Sequence, residues 1–138
     1  MIYLDSAAVV KLVHAEVDSA ALREFLDRRI EVEWVSSALV EIETYRALAR
    51  ATASVDMPAV INEFHALLDL IVRIEIDPNV RIRAQTVSPP AVRSLDAIHL
   101  ATGLRLHDRG QLTSFITYDK RLADAASAAG LTVDAPTD

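Results

Sequence analysis

The sequence predicts an α/β fold built on a parallel sheet, and three features of the chain predict it. Short apolar runs alternate with longer stretches of helical periodicity from end to end, the rhythm of repeated strand–helix units. Two of those runs stop near an aspartate: Ile2-Tyr3-Leu4 at Asp5, and Ser114-Phe115-Ile116-Thr117 two residues ahead of Asp119. Both carboxylates thus fall just beyond short runs that read as buried strands. No linker or low-complexity tract breaks the alternation, and 138 residues suffice for one domain, 1–138, whose core needs no disulfide or structural metal.

The chain opens with a strand over 2–4, after which Ser6 is positioned to cap a short helix reaching Val13. Asp18 or Ser19 caps a second helix to about Arg28, and 31–35 reads as a strand. Ser36 and Ser37 cap a long helix to about Thr52, with Ala38, Leu39, Ile42, Tyr45, Ala47, Leu48 and Ala49 as its apolar face. Asp56 followed by Pro58 starts the next helix, to about Leu70, since proline in the first turn gives up an amide hydrogen that would go unpaired there. Apolar and charged residues alternate over 71–76, as in a strand near the sheet edge. Asp77-Pro78 opens a helix that ends before Ser88-Pro89-Pro90, the firmest break in the chain. Ser94 begins a helix carrying Leu95, Ile98, Leu100, Ala101 and Leu104 to about His107, with Gly110 beyond its end. A strand over 115–117, a helix over 120–129 stopped by Gly130 and a strand over 131–133 complete the chain, with its last few residues expected to be loose.

The composition narrows the chemistry. Without cysteine there is neither a disulfide framework nor a thiolate zinc site, and His14, His65, His99 and His107 form no close pair at metal-ligand spacing. Any metal must be held by oxygen, which favours Mg²⁺, Mn²⁺ or Ca²⁺, and a carboxylate site with exchangeable water suits Mg²⁺ or Mn²⁺ best. The amino terminus lacks a basic segment leading into a long apolar stretch, and no run approaches the roughly 18 apolar residues of a membrane span, so the cytoplasm is the expected location. A net charge of −6 argues against a nucleic-acid binder, unless several of those charges converge on divalent cations.

Four acids carry that second possibility: Asp5, Glu43, Asp96 and Asp119. In an open α/β sheet, ligands collect at the carboxyl ends of the strands, where Asp5 and Asp119 fall. Taken singly, an acid near a helix start reads as a cap or a partner of the helix dipole; for Asp96, in a first turn, capping is the competing reading. Glu43 lies about two turns inside its predicted helix, on the face of Leu39 and Arg46, while Glu41 points about 160° away toward solvent. Four carboxylates in one cleft repel strongly unless some are protonated or a cation sits among them.

The blocks Ile2-Tyr3-Leu4-Asp5-Ser6-Ala7-Ala8, Ser37-Ala38-Leu39-Val40-Glu41-Ile42-Glu43-Thr44-Tyr45-Arg46-Ala47-Leu48, Leu95-Asp96-Ala97-Ile98-His99-Leu100-Ala101 and Phe115-Ile116-Thr117-Tyr118-Asp119-Lys120-Arg121-Leu122 together resemble the PIN-domain ribonucleases. More narrowly, they resemble VapC-type toxins of bacterial toxin–antitoxin pairs. The resemblance spans the whole chain in order. It implies a three-layer α/β/α sandwich and hydrolysis of RNA phosphodiesters dependent on Mg²⁺ or Mn²⁺, with one or two ions held by Asp5, Glu43, Asp96 and Asp119. It assigns Ser6 and Thr117 to water or phosphate positioning, and implies a cognate antitoxin, an RNA substrate and a homodimer. Ala7 departs from the pattern, since many relatives keep a second hydroxyl there.

Arg46, Lys120 and Arg121 lie beside the acids in sequence and are the candidate phosphate contacts, against the alternative of solvated charges or structural salt bridges; Lys11 stands behind them. His99, one turn after Asp96, reads first as a packed, hydrogen-bonded core histidine and otherwise as a proton shuttle facing the acids. Tyr45 could stack on a base, though Tyr45 and Trp34 both read more readily as core. Two other functions compete: a non-catalytic PIN-like module that binds RNA or protein around a structural metal, and a phosphatase with Asp5 as nucleophile. The second lacks the acid expected two residues on, where Ala7 stands.

Overall fold

Ile2, Tyr3 and Leu4 are each fully buried, as a strand covered on both faces must be. In the computed structural model, which describes residues 1–138, they form β1 (Ile2–Leu4), followed by α1 (Ser6–Val13), α2 (Ser19–Asp27), β2 (Trp34–Ser37), α3 (Val40–Ala51) and α4 (Met57–Leu68). Then come β3 (Ile71–Ile74), α5 (Pro78–Gln85), α6 (Ser94–Asp108), β4 (Ser114–Ile116), α7 (Lys120–Ala128) and β5 (Val133–Asp134). The five strands make one sheet in the order β3-β2-β1-β4-β5, and every pairing is parallel.

Alternation along the strands sorts side chains into two cores. Ile2, Leu4, Ile71 and Ile116 face a cluster with Ala8 and Val9 of α1, Leu22 and Leu26 of α2, Val40 and Leu48 of α3, and Phe64 and Leu68 of α4. Tyr3, Val35 and Phe115 face the opposite cluster, with Leu100, Leu104 and Leu106 of α6 and Leu122, Ala125 and Ala126 of α7. The result is the expected three-layer α/β/α sandwich. Gly103 permits the close approach of α6: a Cβ there would lie 2.8 Å from the Phe115 ring. That ring is itself stacked on Tyr3 at 4.7 Å between centroids.

Several local expectations need correction. Asp5, not Ser6, caps α1, and β2 begins at Trp34 rather than at 31. The sequence there ends in Ser36 and Ser37, polar residues that are nonetheless buried because Ser36 Oγ donates to the Leu4 carbonyl at 2.6 Å. Helix α3 consequently starts at Val40, and its buried residues are Val40, Thr44 and Leu48, leaving Ile42 and Tyr45 exposed. The last strand is Val133–Asp134 rather than 131–133. The carboxyl terminus is tethered: Asp138 accepts hydrogen bonds from the amides of Asp18 and Ala21, and Tyr118 donates to the Pro136 carbonyl.

Candidate active site

Chain order reverses across β1: β2 and β3 build outward on one side, β4 and β5 on the other. That reversal opens a crevice at the carboxyl ends of β1 and β4. The two strands run in register, Leu4 beside Ile116, so the residues after them emerge together. Asp5 is one of them and Asp119 follows three residues after β4. Both are helix caps: Asp5 Oδ1 accepts from Ala8 N at 2.8 Å and Asp119 Oδ1 from Leu122 N at 2.9 Å. The capping reading holds for both, and it is compatible with the cleft reading, because a cap occupies one carboxylate oxygen and leaves the second.

Glu43 and Asp96 are not caps. Because α3 starts later than the periodicity suggests, Glu43 sits in its first turn rather than two turns inside. Asp96 is in the first turn of α6, whose start has no side-chain cap, and no hydrogen bond contributes to its environment. Glu41 turns away to pair with Arg73 at 2.8 Å, as its helical phase predicts.

Behind the acids runs a buried chain of hydrogen bonds. His99, only 2% exposed, places Nε2 2.7 Å from Glu43 Oε1 and Nδ1 2.6 Å from the Tyr3 hydroxyl. Ser6 Oγ donates to the same Glu43 oxygen at 2.6 Å and lies 3.2 Å from His99 Nε2. The Tyr3 hydroxyl accepts from Ser37 N at 3.1 Å, which leaves its proton for His99 Nδ1. These partners assign the proton of a neutral imidazole to Nε2, directed at the carboxylate. His99 is therefore both things the sequence offered, a packed histidine and a neighbour of an acid. The Ser6 hydroxyl is committed to Glu43, while that of Thr117 lies by Asp5 and accepts from Asp119 N at 3.2 Å.

The electrostatics tie the four acids to one crevice. Burial pushes Asp5 above the usual carboxylate range, opposed by the Thr117 hydroxyl, His99 and the Ala8 amide and reinforced by the charge of Asp96. Asp96 is also raised, by burial first and then by repulsion from Asp119 and Glu43, against the opposing charges of His99 and Arg93. For Glu43, burial acts upward, but hydrogen bonds from His99 and Ser6 outweigh it and hold the carboxyl low. Burial keeps the Tyr3 phenol protonated far above neutrality.

No three acidic or imidazole groups close on a single point. The donor set is all oxygen and open, with arginines at its borders rather than among the acids. Such an arrangement fits Mg²⁺, which keeps several of its waters and takes only one or two carboxylates, better than an ion that needs a closed protein cage.

Two cavities flank the crevice. One, of about 550 Å³, is lined by Ser6, Glu43, Arg46, Arg50 and Leu95 among others; the second, of about 260 Å³, has Arg93, Asp96, Asp119 and Arg121 on its wall. Arg46 and Arg121 thus adjoin the acids, whereas Lys120 pairs with Asp124 at 3.0 Å and Lys11 with Glu16 at 3.1 Å. Sequence reasoning missed Tyr3, Arg50 and Arg93. Strand alternation opposite Ile2 and Leu4 was the available clue for Tyr3, and one helical turn from Arg46 for Arg50.

The chain also has recognisable relatives. A family model described as PIN domain matches residues 2–128. The chain is 46% identical over 136 residues to Ribonuclease VapC35 of Mycobacterium tuberculosis, covering 99% of this chain and 97% of that protein. It is 43% identical to Ribonuclease VapC46 over 137 residues (99% and 98% covered) and 32% identical to Ribonuclease VapC47 over 138 residues (99% and 97%), both of the same species. With the family model matched over most of its length and relatives aligned nearly end to end, the chain belongs to the PIN-domain family, in its VapC group.

Proposed function

We propose that this chain is a Mg²⁺- or Mn²⁺-dependent endoribonuclease, the toxin of a type II toxin–antitoxin pair, folded as one domain over 1–138 and acting in the cytoplasm. The observation that carries the reading is the gathering of acids in the crevice: Asp96 feels the charges of Asp119 and Glu43, and Asp5 that of Asp96; His99 opposes the rise in both and Arg93 that in Asp96, but neither acid is held in an ion pair. The names of the relatives, each a ribonuclease, support the same chemistry.

Asp5, Glu43, Asp96 and Asp119 are the residues that would hold one or two ions. When bound, a divalent cation of this kind supplies a nucleophile by lowering the pKa of water and offsets charge on a phosphoryl oxygen. The protein's own groups do the positioning. His99 and Ser6 fix one oxygen of Glu43 and leave the other free, Tyr3 fixes the imidazole, and the caps of α1 and α7 fix Asp5 and Asp119. Thr117 lies between the two capping aspartates, where its hydroxyl can orient water or a phosphate oxygen. Arg46 and Arg121 grip the RNA backbone; Lys120, turned to Asp124, contributes less.

The antitoxin partner would present a basic side chain to the crevice, and a second copy of the chain completes a homodimer. Ile42 and Tyr45, exposed at 60% and 45% on α3, supply apolar surface for such contacts. Purified protein incubated with RNA and Mg²⁺ tests the reading: cleavage by the parent, absent in Asp5→Asn and in chelator, is expected. RNA binding without cleavage in the parent would leave only the non-catalytic module.

A further inference from the structure

Seven of the twelve arginines engage a protein oxygen: Arg23, Arg28, Arg29, Arg73, Arg81, Arg83 and Arg105. The other five have neither an ion pair nor a hydrogen bond. Of these, only Arg109 lies away from the acids; Arg46 and Arg50 line the cavity on the Glu43 side, Arg93 and Arg121 the cavity on the Asp96 and Asp119 side. In a chain of net charge −6, four of the five guanidiniums left without partners border the crevice.

The smaller cavity has a second property. Pro89, Val92, Leu122, Ala125 and Ala128 give it an apolar floor and wall, and its volume is about 260 Å³. That is just under the roughly 300 Å³ at which ordinary small-molecule sites begin. We infer that this cavity takes one unpaired nucleobase of an RNA strand, with Arg93 and Arg121 on the adjoining phosphates and the strand continuing across the acids toward Arg46 and Arg50. The inference rests on the ribonuclease reading and names the subsite beside the reacting phosphate.

Charge favours RNA over a protein segment as the occupant. Two free guanidiniums at the rim repel a basic side chain and match a phosphate, which an arginine fork grips through paired hydrogen bonds. Three acids share the cavity wall: Asp124 is paired with Lys120, while Asp96 and Asp119 stand on the crevice side, where the ribonuclease reading puts the metal. An apolar slot beside cationic groups suits a base splayed out of a single strand, the form in which RNA exposes its bases to proteins. A volume of about 260 Å³ accommodates a nucleobase.

The test is fluorescence anisotropy of a short labelled single-stranded RNA in Ca²⁺, its intactness checked on a gel, over a range of salt. Arg93→Ala and Arg121→Ala are each expected to lower the slope of log affinity against log salt by about 0.7, the value for one lost phosphate contact on a single strand. Arg109→Ala is expected to change nothing. Ala128→Trp fills the cavity from its exposed edge and is expected to weaken binding about tenfold at every salt concentration with the slope unchanged. Walking one abasic position along the RNA should find a site that weakens the parent equally and adds nothing in Ala128→Trp.

Ala91→Trp, on the same cavity's exposed rim, repeats the test should Ala128→Trp melt early. Parental affinity in both tryptophan variants, or no sensitive abasic position, would overturn the nucleobase site. So would retention of RNA binding with loss of inhibition by the cognate antitoxin, which would reassign the cavity to a protein partner. If the site fails in these ways while the parent still cleaves RNA in Mg²⁺, the ribonuclease reading stands; no RNA binding by the parent removes both.

Discussion

Asp5 has two tasks. Oδ1 accepts the Ala8 amide and starts α1, while the carboxyl group also meets the Thr117 hydroxyl and the repulsion of Asp96. Because Asp5 and Asp96 hold protons more tightly folded than unfolded, the native chain carries extra protons between the ordinary carboxylate pKa and their raised values. Stability in chelator therefore falls as pH rises across that window. Glu43 has the opposite sign: its contribution is present above its unfolded value and is lost as pH falls through the lowered one. Asp5→Asn keeps the capping oxygen and drops the charge, so in chelator above the window it should melt higher than the parent and lose the parent's rise on adding Mg²⁺. Thermal melts across pH, with and without the ion, check both. His99→Ala strips Glu43 of a donor and Tyr3 of its acceptor, and should weaken Mn²⁺ binding by about 10- to 100-fold, the usual cost of losing a residue that orients a ligand. Calorimetry reads this directly, and His99→Gln should recover part of it; equal affinity in all three proteins would show that His99 does not hold Glu43 in place.

The helices of the site begin in different ways, and the difference is testable. Helix α7 is capped by Asp119, while α6 has no side-chain cap and leaves Asp96 unbonded. Asp119→Ala should lose about 1 kcal/mol of stability through the cap, whereas Asp119→Asn should keep it. Both should lose cleavage, so chemical denaturation and a nuclease assay together separate the cap from the carboxylate. Elements such as β1, β4 and α6 were legible in the sequence because uninterrupted apolar runs and proline breaks leave few alternatives. β2 was not, because its alternation over 31–35 mimics a strand while Ser36 and Ser37 look like a cap; only a sheet covered on both sides, with Leu4 supplying an acceptor, makes buried serines acceptable. That slip of a few residues moved the start of α3 and with it the predicted face, exposing Ile42 and burying Thr44. The four acids were legible by position, but the Tyr3–His99–Glu43 chain was not, since its members are brought together by strand order and no local pattern encodes that.

At the scale of the whole molecule, the parallel sheet reverses its build at β1 and gathers acids from four separate segments at one rim. Anything that binds the folded crevice and not the unfolded chain stabilises the fold: Mg²⁺ at a hundred times its dissociation constant should add about 2.7 kcal/mol. A thermal shift that rises with ion concentration and vanishes in Asp96→Asn checks this. The two cores differ in how they reach the site. The face with α1 to α4 touches it through the Asp5 cap, Ser6 and Glu43; the opposite face touches it through the Asp119 cap, Asp96 and the rings of Tyr3 and His99. Gly103→Ala presses a methyl group into Phe115, and overpacking of that kind costs about 1–3 kcal/mol. Phe115 lies flat on Tyr3, and Tyr3 is what His99 leans on. A hydrogen atom in place of a side chain at position 103 therefore reaches, through two stacked rings and two hydrogen bonds, the Glu43 carboxylate on α3. An engineer wishing to blunt this catalyst while sparing every acid in it would begin there.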